Sequence, residues 1–567
     1  MKKTALLTPA LLLTLAFALA RGAFAATYRN PVLTMDFGDP DVCAGPDGKY
    51  YLTAASFGGL PGLPILESDD LVNWQYVGHA LRQHPFETES PEHGNAVWAP
   101  SIRYRDGGFV VYWGDPDRGI YRVTAKRPEG PWSEPVLVKA GKGLVGPCPL
   151  YDDDGRAYLV HGWAQSRSQQ SGMFTVSELN DDETATIGDE VLVYDGLPDG
   201  NFAAEGPKFY KRGGEYWLMF SAGGGTGGGW QVAARAPTPF GPYKAKKTMD
   251  QGKTKVNGPH QGAWVHTRED EDWFVHASDR DAYGRIVYLE PMAWRADGWP
   301  VVGADADGDG CGEPVLEWEL PKGGALGKQG LYPQLDDEFN EPKLGPQWQY
   351  LGRSQAQVGF PTTQGFFRLY STPGVRKWLE DGAFANSLRQ VVNTWNTPNF
   401  LVQKFPALAF TATMKARMVA KQDNVEGGII VQGMSYARLG LRSKGDEFEV
   451  VYTECIAADK GKDEKTKTIA SVKAQTAEAG ARAAKAKDVW LRVEVRPADE
   501  VSQKMREGLC TFSYSLDGRE WTTAGKEPFT AAPGKRIGAT VGCYCGSAPD
   551  VGDRGWIDVD YFRIERR

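Results

Sequence analysis

The chain has 567 residues, a formal net charge of −8 and a calculated pI near 5.6. This length exceeds that of one ordinary domain, so we expect two. The acidic balance offers no basic face to neutralise a phosphate backbone, which argues against a nucleic-acid partner. The 18 Trp, 23 Tyr, 24 Phe and 68 Gly residues form an aromatic, turn-rich mixture typical of β-proteins that hold sugars.

Residues 1–25 have the pattern of a secretory signal peptide. Two lysines precede an apolar run, and Ala23 and Ala25 form an A-x-A cleavage pattern. We therefore expect a mature chain that begins near Ala26 and is secreted, either periplasmic or extracellular. No later stretch has the roughly 20 uninterrupted apolar residues of a membrane span, so no membrane partner is expected.

A turn followed by an aromatic and β-branched strand recurs through the first half of the chain. The copies are GPDGKYYLTAAS from Gly45, RDGGFVVYWGD from Arg105, DDDGRAYLVHGWA from Asp152, KRGGEYWLMFSAG from Lys211 and REDEDWFVHASD from Arg268. Near alternation after a polar turn predicts hairpin strands. Repeats at this spacing, with further strands between them, predict a five-bladed β-propeller over residues 26–325. A β-sandwich with similar hairpins is the alternative.

The pattern changes in the second half, where a module opens at residue 334 and continues to residue 567. Its alternating runs include FTATMKARMV, EFEVVYTECI, DVWLRVEVRP and IDVDYFRIERR. Such alternation predicts a two-sheet β-sandwich with one face of each sheet buried. The fold class is therefore all-β. The Lys- and Ala-rich stretch 458–487 is interpreted as a solvated hairpin tip, with a partner-binding helix as the alternative.

Two acidic residues in different repeats have settings unlike those of turn-forming acids. Asp39 and Glu205 lie among small or apolar residues close to a proline. A propeller brings the ends of its innermost strands together at a central funnel, where such carboxylates can converge. Two facing carboxyl groups, one acid and one base, are the minimal equipment for breaking a glycosidic bond. The alternative is that both acids only cap strand ends.

Several motifs together resemble the successive signatures of glycoside hydrolase family 43. They are NPVL (30–33), DFGDPDV (36–42), SDDLVNW (68–74), WAPSI (98–102), PCPLYDDDG (147–155), EGPKFY (205–210), NGPHQGAWVHT (257–267) and AYGRIVYLEPMAW (282–294). GDGCGEPV (308–315) and the second module resemble the branch with a concanavalin-like C-terminal β-sandwich. The resemblance implies a five-bladed propeller of inverting enzymes, mostly β-D-xylosidases, α-L-arabinofuranosidases and arabinanases.

Carried over by motif, the resemblance implies that Asp39 is the general base and Glu205 the general acid. The family also has a third carboxylate, before P-C-P, that raises the pKa of the acid. In this chain Gly146 stands at that position. We therefore expect sugar binding with hydrolysis that is reduced or shifted in pH.

The resemblance implies roles for further residues of the sugar pocket. Phe37 and Trp98 are candidates for its hydrophobic wall, with membership of the core as the alternative. Arg285 is favoured over Arg280 as the cation beside the base. His260 matches an axial histidine that helps to hold a water or a calcium ion, unless it is a core histidine satisfied by backbone groups.

No cofactor is expected to be required, although a structural calcium is considered. The run DADGDG (305–310) resembles a calcium loop, but the twelfth position is Leu316 instead of the bidentate Glu of an EF-hand. A polar linker is the alternative.

We expect an exo-acting inverting glycosidase that removes terminal pentoses from plant cell-wall polysaccharides, as an α-L-arabinofuranosidase or a β-D-xylosidase. Its partner is then an oligo- or polysaccharide that contains arabinose or xylose. In the resembling branch a loop of the C-terminal sandwich closes one side of the funnel. The alternative is a catalytically impaired carbohydrate-binding protein of the same fold.

Overall fold

The computed structural model describes residues 26–86, 91–224, 228–324, 333–351, 359–374, 376–380, 388–397, 400–479, 482–498, 507–549 and 555–567. The predicted signal peptide lies outside them. The described residues are mainly strands, with an α-helix at Gln165–Ser168 and 3-10 turns at Asp281–Tyr283, Thr394–Asn396 and Ala458–Lys460. Within these ranges no helix has the length and apolar character needed to cross a membrane.

The described residues of the first half form five antiparallel sheets of four strands, here called blades 1 to 5. Blade 1 has strands Asp41–Ala44, Tyr50–Thr53, Gly62–Ser68 and Gln75–Leu81; blade 2 has Trp98–Arg105, Gly108–Asp115, Gly119–Ala125 and Val136–Ala140; blade 3 has Leu144–Tyr151, Ala157–Trp163, Met173–Leu179 and Thr186–Asp195; blade 4 has Glu205–Arg212, Glu215–Ala222, Trp230–Ala236 and Lys244–Met249; blade 5 has His260–His266, Asp272–Asp279, Arg285–Trp294 and Pro300–Val302. Within each blade the strands pair in chain order.

The first strand of each blade lies nearest the axis, and each of these inner strands contacts the inner strand of the next blade. Blade 5 contacts blade 1 in the same way, which closes the ring. The N-terminal segment secures this closure, because Leu33 bridges to Val287 of blade 5 and strand Thr27–Arg29 pairs with strand Glu317–Glu319.

The propeller core consists of apolar layers between neighbouring blades. Strand Glu215–Ala222 shows how alternation builds them: Leu218 packs towards blade 3, whereas Trp217 and Met219 pack towards blade 5. The near-continuous apolar character of the repeated strands follows, because both of their faces are buried.

The second half forms a sandwich of two sheets in the described residues. The first sheet contains, in pairing order, Lys465–Lys473, Glu447–Cys455, Tyr436–Lys444, Val425–Gln432, Thr540–Ser547, Phe400–Lys404, Gln349–Leu351 and Gly59–Leu60, with Thr372–Pro373 beside Thr540–Ser547. The second contains Gly359–Pro361, Phe367–Tyr370, Trp556–Arg566, Phe410–Ala420, Arg482–Pro497, Gly508–Ser515 and Thr522–Ala531, with Gln475–Ala479 beside Arg482–Pro497. Strands Arg376–Glu380 and Leu388–Val392 form a separate hairpin.

The predicted all-β fold class, a five-bladed propeller followed by a β-sandwich, is confirmed. Much of stretch 458–487 forms strands of both sheets, including a hairpin of Gln475–Ala479 with Arg482–Pro497, and its described part contains no α-helix.

The propeller and the sandwich share structure at their boundary. The two-residue strand Gly59–Leu60 of the propeller pairs with Gln349–Leu351 at the edge of a sandwich sheet. Ala282 and Tyr283 of blade 5 belong to the sandwich core, and the Tyr283 hydroxyl donates to the Leu408 carbonyl at 2.8 Å. The turn that precedes Arg285 is therefore fixed by the second domain.

Candidate active site

Each blade has a left-handed residue close to the start of its inner strand, within the first three residues of the strand or, in blade 1, two residues before it. These kink residues are Asp39 (φ 54°), Ala99 (φ 38°), Gly146 (φ 60°), Gly206 (φ 63°) and Gln261 (φ 43°). Side chains other than glycine enter this region at a cost, Asp and Asn less than most. In the inner strands of blades 2 to 5 the pairing register also shifts at the kink. The kinks turn the neighbouring side chains towards the axis.

A cavity of about 530 Å³ opens at the axis, within the size range of small-molecule sites. Every blade contributes to its lining, through Asp39, Trp98, Gly146, Glu205 and His260 respectively. The two predicted catalytic acids therefore line one cavity.

Asp39 is held by a cation from blade 5. Its carboxylate pairs with the Arg285 guanidinium, and the residue is only 4% exposed. The Arg285 backbone N–H donates to Asp36 Oδ1 at 2.8 Å, which fixes the start of its strand against the Asp39 segment. Arg280 instead donates to the Tyr288 hydroxyl and does not line the cavity.

Glu205 faces the cavity with 38% of its side chain exposed. Its Oε1 lies 3.1 Å from His260 Nε2. Burial raises the pKa of this carboxyl group, but His260, Arg285 and Arg536 together outweigh burial, so its pKa lies below the usual 4.5. This direction is the opposite of what a general acid at neutral pH needs.

The aromatic wall differs in part from the prediction. Trp98 lines the cavity, where its ring meets that of Phe57 edge-on at 6.4 Å. Phe37 does not: it is 0% exposed and packs in the layer between blades 5 and 1, edge-on to Tyr76. The prediction of Phe37 as a wall residue was wrong and the alternative, membership of the core, holds, because its side chain packs between blades 5 and 1. Phe57, from the loop after the second strand of blade 1, lines the cavity instead.

The sandwich supplies one side of the cavity, through Met434, Pro533, Gly534, Arg536 and Ile537. Sequence reasoning expected a sandwich loop here from the family resemblance but did not identify these residues. They lie outside the propeller repeat, and a Gly-rich loop such as PGKRIG carries no pattern that indicates a sugar pocket. Asp279, Asp281 and Gln261 also line the cavity and were missed. Gln261 and Asp279 lie within blade 5 motifs and Asp281 directly precedes one, but nothing in those motifs indicated a chemical role for these three residues.

Comparisons with known proteins agree with this geometry. The model for glycosyl hydrolases family 43 matches residues 28–300, and that of the beta xylosidase C-terminal Concanavalin A-like domain matches residues 336–565. A putative beta-xylosidase of Xylanibacter ruminicola is 33% identical over 522 residues, covering 91% of this chain and 86% of that protein. The chain belongs to glycosyl hydrolase family 43.

Two further relatives show the range of the family. A non-reducing end alpha-L-arabinofuranosidase of Bacteroides ovatus is 32% identical over 428 residues, covering 72% of this chain and 74% of that protein. The crystal structure of a xylan beta-1,4-xylosidase from Bacillus halodurans matches with a TM-score of 0.76 over 95% of this chain and 100% of that chain, at 20% identity. This structural match supports the shared fold alone. As a family 43 member, the protein is a glycoside hydrolase.

Gly146 is where this family 43 chain departs from the expected acid. A Cβ atom there would lie 3.1 Å from the Gly206 Cα and 3.3 Å from the Pro207 Cδ, beside the residue that follows Glu205. A carboxylate at position 146 would therefore lie near the Glu205 carboxyl group. With glycine at position 146, the carboxylate that the family resemblance implies there is absent and cannot raise the pKa of Glu205.

The predicted sites for a water or calcium ion have mixed chemistry. At the axis, His260 Nδ1 and Gln261 Oε1 are buried and have no hydrogen-bond partner among the residues that the structure describes. A ring nitrogen suits a water better than calcium, which prefers oxygen ligands. The carboxylates of Asp305, Asp307 and Asp309 do come together in the DADGDG loop, but Arg295 also pairs with Asp305 at 3.2 Å. Calcium at either place stays a prediction.

Proposed function

We propose that the protein is an exo-acting, inverting glycosidase in which Asp39 is the general base and Glu205 the general acid. The observation that supports this proposal best is that the two carboxyl groups, from opposite parts of the propeller sequence, line one axial cavity. Arg285 and His260 hold them in place.

Hydrolysis by this pair follows from their placement around a bound sugar. Asp39 takes a proton from a water that attacks the anomeric carbon, while Glu205 gives its proton to the departing glycosidic oxygen. The new C–O bond forms on the face opposite the one that breaks, so the anomeric configuration inverts. Proton exchange with solvent then restores both carboxyl groups.

The lowered pKa of Glu205 defines the expected pH dependence. A general acid works only while protonated, and a depressed pKa leaves less of it protonated at any pH above that value. We therefore infer that the alkaline limb of the kcat/KM profile is shifted to lower pH, so that kcat/KM is already reduced at neutral pH.

A terminal pentose is the substrate that the surroundings favour. The sandwich residues close one side of the cavity, which suits a chain end better than a continuous polysaccharide. Relatives named beta-xylosidase and alpha-L-arabinofuranosidase support a xylose or arabinose substrate, without separating the two. We propose plant cell-wall polysaccharides as the source of these pentoses.

A catalytically impaired carbohydrate-binding protein is the second candidate. Gly146 and the cationic surroundings of Glu205 favour it, because both act against proton donation. The buried Asp39–Arg285 ion pair, which binding alone does not require, favours the hydrolase.

Chromogenic assays separate these candidates. The protein is incubated with 4-nitrophenyl α-L-arabinofuranoside and 4-nitrophenyl β-D-xyloside from pH 4 to 8, beside Asp39→Asn and Glu205→Gln. We expect release of nitrophenol from at least one substrate, strongest at acid pH, and a loss of about 10²-fold or more in each variant. Saturable sugar binding with no release at any pH would support the binding protein instead.

We further propose that the protein acts outside the cytoplasm, on the strength of the signal-like residues 1–25. N-terminal sequencing of the protein recovered from the periplasm or medium should begin near Ala26. Recovery of the uncleaved chain in the cytoplasm alone would contradict this.

A further inference from the structure

The loop between strands Thr522–Ala531 and Thr540–Ser547 carries the sandwich into the active site. It is anchored to the propeller by backbone bonds: Gly538 N–H donates to Asp36 Oδ2 at 2.9 Å, and Ala539 N–H donates to the Ala282 carbonyl at 2.7 Å. Both acceptors lie within a few residues of Asp39 or Arg285. The loop is therefore fixed to the segments that form the catalytic site.

Arg536 occupies the part of this loop that lines the cavity. Its guanidinium lies over the Trp98 ring, 4.0 Å from the centroid, a cation–π arrangement that fixes its direction. Its carbonyl accepts from Arg285 Nη2 at 2.9 Å. The residue has φ 68°, a conformation that is costly for a long side chain, so its placement depends on these contacts.

The Arg536 guanidinium has no ion-pair partner within the described residues, and its side chain has no hydrogen bond there. It lies in a cavity whose other charged or titratable side chains are those of Asp39, Glu205, His260, Asp279, Asp281 and Arg285. Asp39 is already paired with Arg285 and Glu205 contacts His260. The cation of Arg536 therefore lines the same cavity as Glu205, with N–H donors that no described side chain uses.

We propose that Arg536 is a positioning residue of the hydrolytic site, through which the sandwich domain faces the Glu205 carboxyl group with a fixed positive charge and offers N–H donors to the bound sugar. This inference rests on the proposed role of Glu205 as the acid. It gives the second domain a chemical part in the reaction beyond closing the cavity.

The electrostatics of the cavity agree with this role. Arg536 is one of the cations that lower the pKa of Glu205. Burial and the neighbouring charge of Arg285 lower the pKa of Arg536 itself, while Glu205 and Asp39 oppose that shift. With Gly146 in the place of a carboxylate, no neighbouring acid from blade 3 opposes that charge. Removing the cation should therefore make Glu205 a better proton donor at neutral pH while it weakens sugar binding.

The test compares Arg536→Gln with Arg536→Lys, which keeps a positive charge, and with Lys535→Gln, which removes the adjacent cation outside the cavity. The pH profile of kcat/KM is measured on the chromogenic pentoside that the parent hydrolyses best, and thermal unfolding checks that each variant is folded. We expect Arg536→Gln to raise the pKa of the alkaline limb by about one unit. It should also raise KM several-fold. Arg536→Lys should change the pKa of the alkaline limb much less, and Lys535→Gln should change neither that pKa nor KM.

An unchanged limb and KM in folded Arg536→Gln would overturn the proposal, as would an equal shift in Lys535→Gln. If the parent hydrolyses no pentoside, the proposed function fails but this inference is still decided. The Glu205 carboxyl group is then titrated by ¹³C NMR, assigned by its absence in Glu205→Gln. A pKa that rises in Arg536→Gln supports the proposal, and one that does not move contradicts it.

Discussion

Asp39 and Gly146 occupy the same kink position in blades 1 and 3, with φ of 54° and 60°. Asp39 shows that this fold accepts an aspartate in that conformation, which Asp tolerates better than most residues. The constraint at position 146 is steric, because a Cβ atom there would require the Gly206 backbone to shift by a few tenths of an ångström. One residue thus separates this chain from the three-carboxylate arrangement that the family resemblance implies.

Gly146→Asp should raise the pKa of Glu205 by placing a like charge beside it, and so raise activity at neutral pH by about 10-fold or more. Gly146→Asn is the matched control, since it has the same shape and strain without the charge. The pH profile of kcat/KM checks the prediction. Equal profiles for the two folded variants would show that a charge at position 146 does not act on the acid.

The repeated hairpin strand was the element that sequence predicted best. Its copies are the second strands of the blades, where aromatic and β-branched residues fill the layers on both sides. The inner-strand kinks were not predictable, because Asp39, Ala99 and Gln261 share no residue type that favours the left-handed conformation. Phe37 and Phe57 show the same limit of sequence patterns. The pattern indicates which side chains are buried, but not whether a buried side chain packs in the core or lines the axial cavity.

The kink in blade 2 allows a stability prediction, because Ala99 has φ 38°. Ala99→Gly should relieve strain and leave the free energy of unfolding unchanged or up to about 1 kcal/mol higher. Ala263→Gly is the control at an inner-strand residue whose own φ is not positive and whose methyl group is fully buried. That variant should lose about 1 to 2 kcal/mol. Urea unfolding of both variants checks this; an equal loss would mean that the Ala99 kink stores no strain.

At the scale of the whole molecule, a buried lysine joins the domains. Lys404 of the sandwich donates to the Asp36 carbonyl, with its ammonium 4.2 Å from the centre of the Phe37 ring. Burial, assisted by the charge of Arg285 and opposed by that of Asp36, lowers the pKa of Lys404 from 10.5 to about 8. Between these values the unfolded chain binds the proton and the folded chain does not, so stability gains from this group as pH rises from about 8 to 10.5.

Lys404→Met keeps most of the side-chain volume and removes this titration. The difference in free energy of unfolding, parent minus variant, should increase by about 2 to 3 kcal/mol when the pH is raised from 7.5 to 10.5. Denaturant unfolding of both proteins at the two pH values measures this difference. The contributions of the other titrating groups cancel because parent and variant share them. A difference that stays constant with pH would show that Lys404 keeps an ordinary pKa at the interface.

The stereochemistry of the released sugar tests most directly whether Asp39 and Glu205 act across a single water. ¹H NMR of the first turnovers on the preferred 4-nitrophenyl pentoside distinguishes the anomers before they equilibrate. We expect the inverted anomer first, α-xylose from a β-xyloside or β-arabinofuranose from an α-arabinofuranoside, and loss of that signal in Asp39→Asn. Release of the retained anomer first would contradict it, because retention requires a carboxylate that attacks the sugar itself.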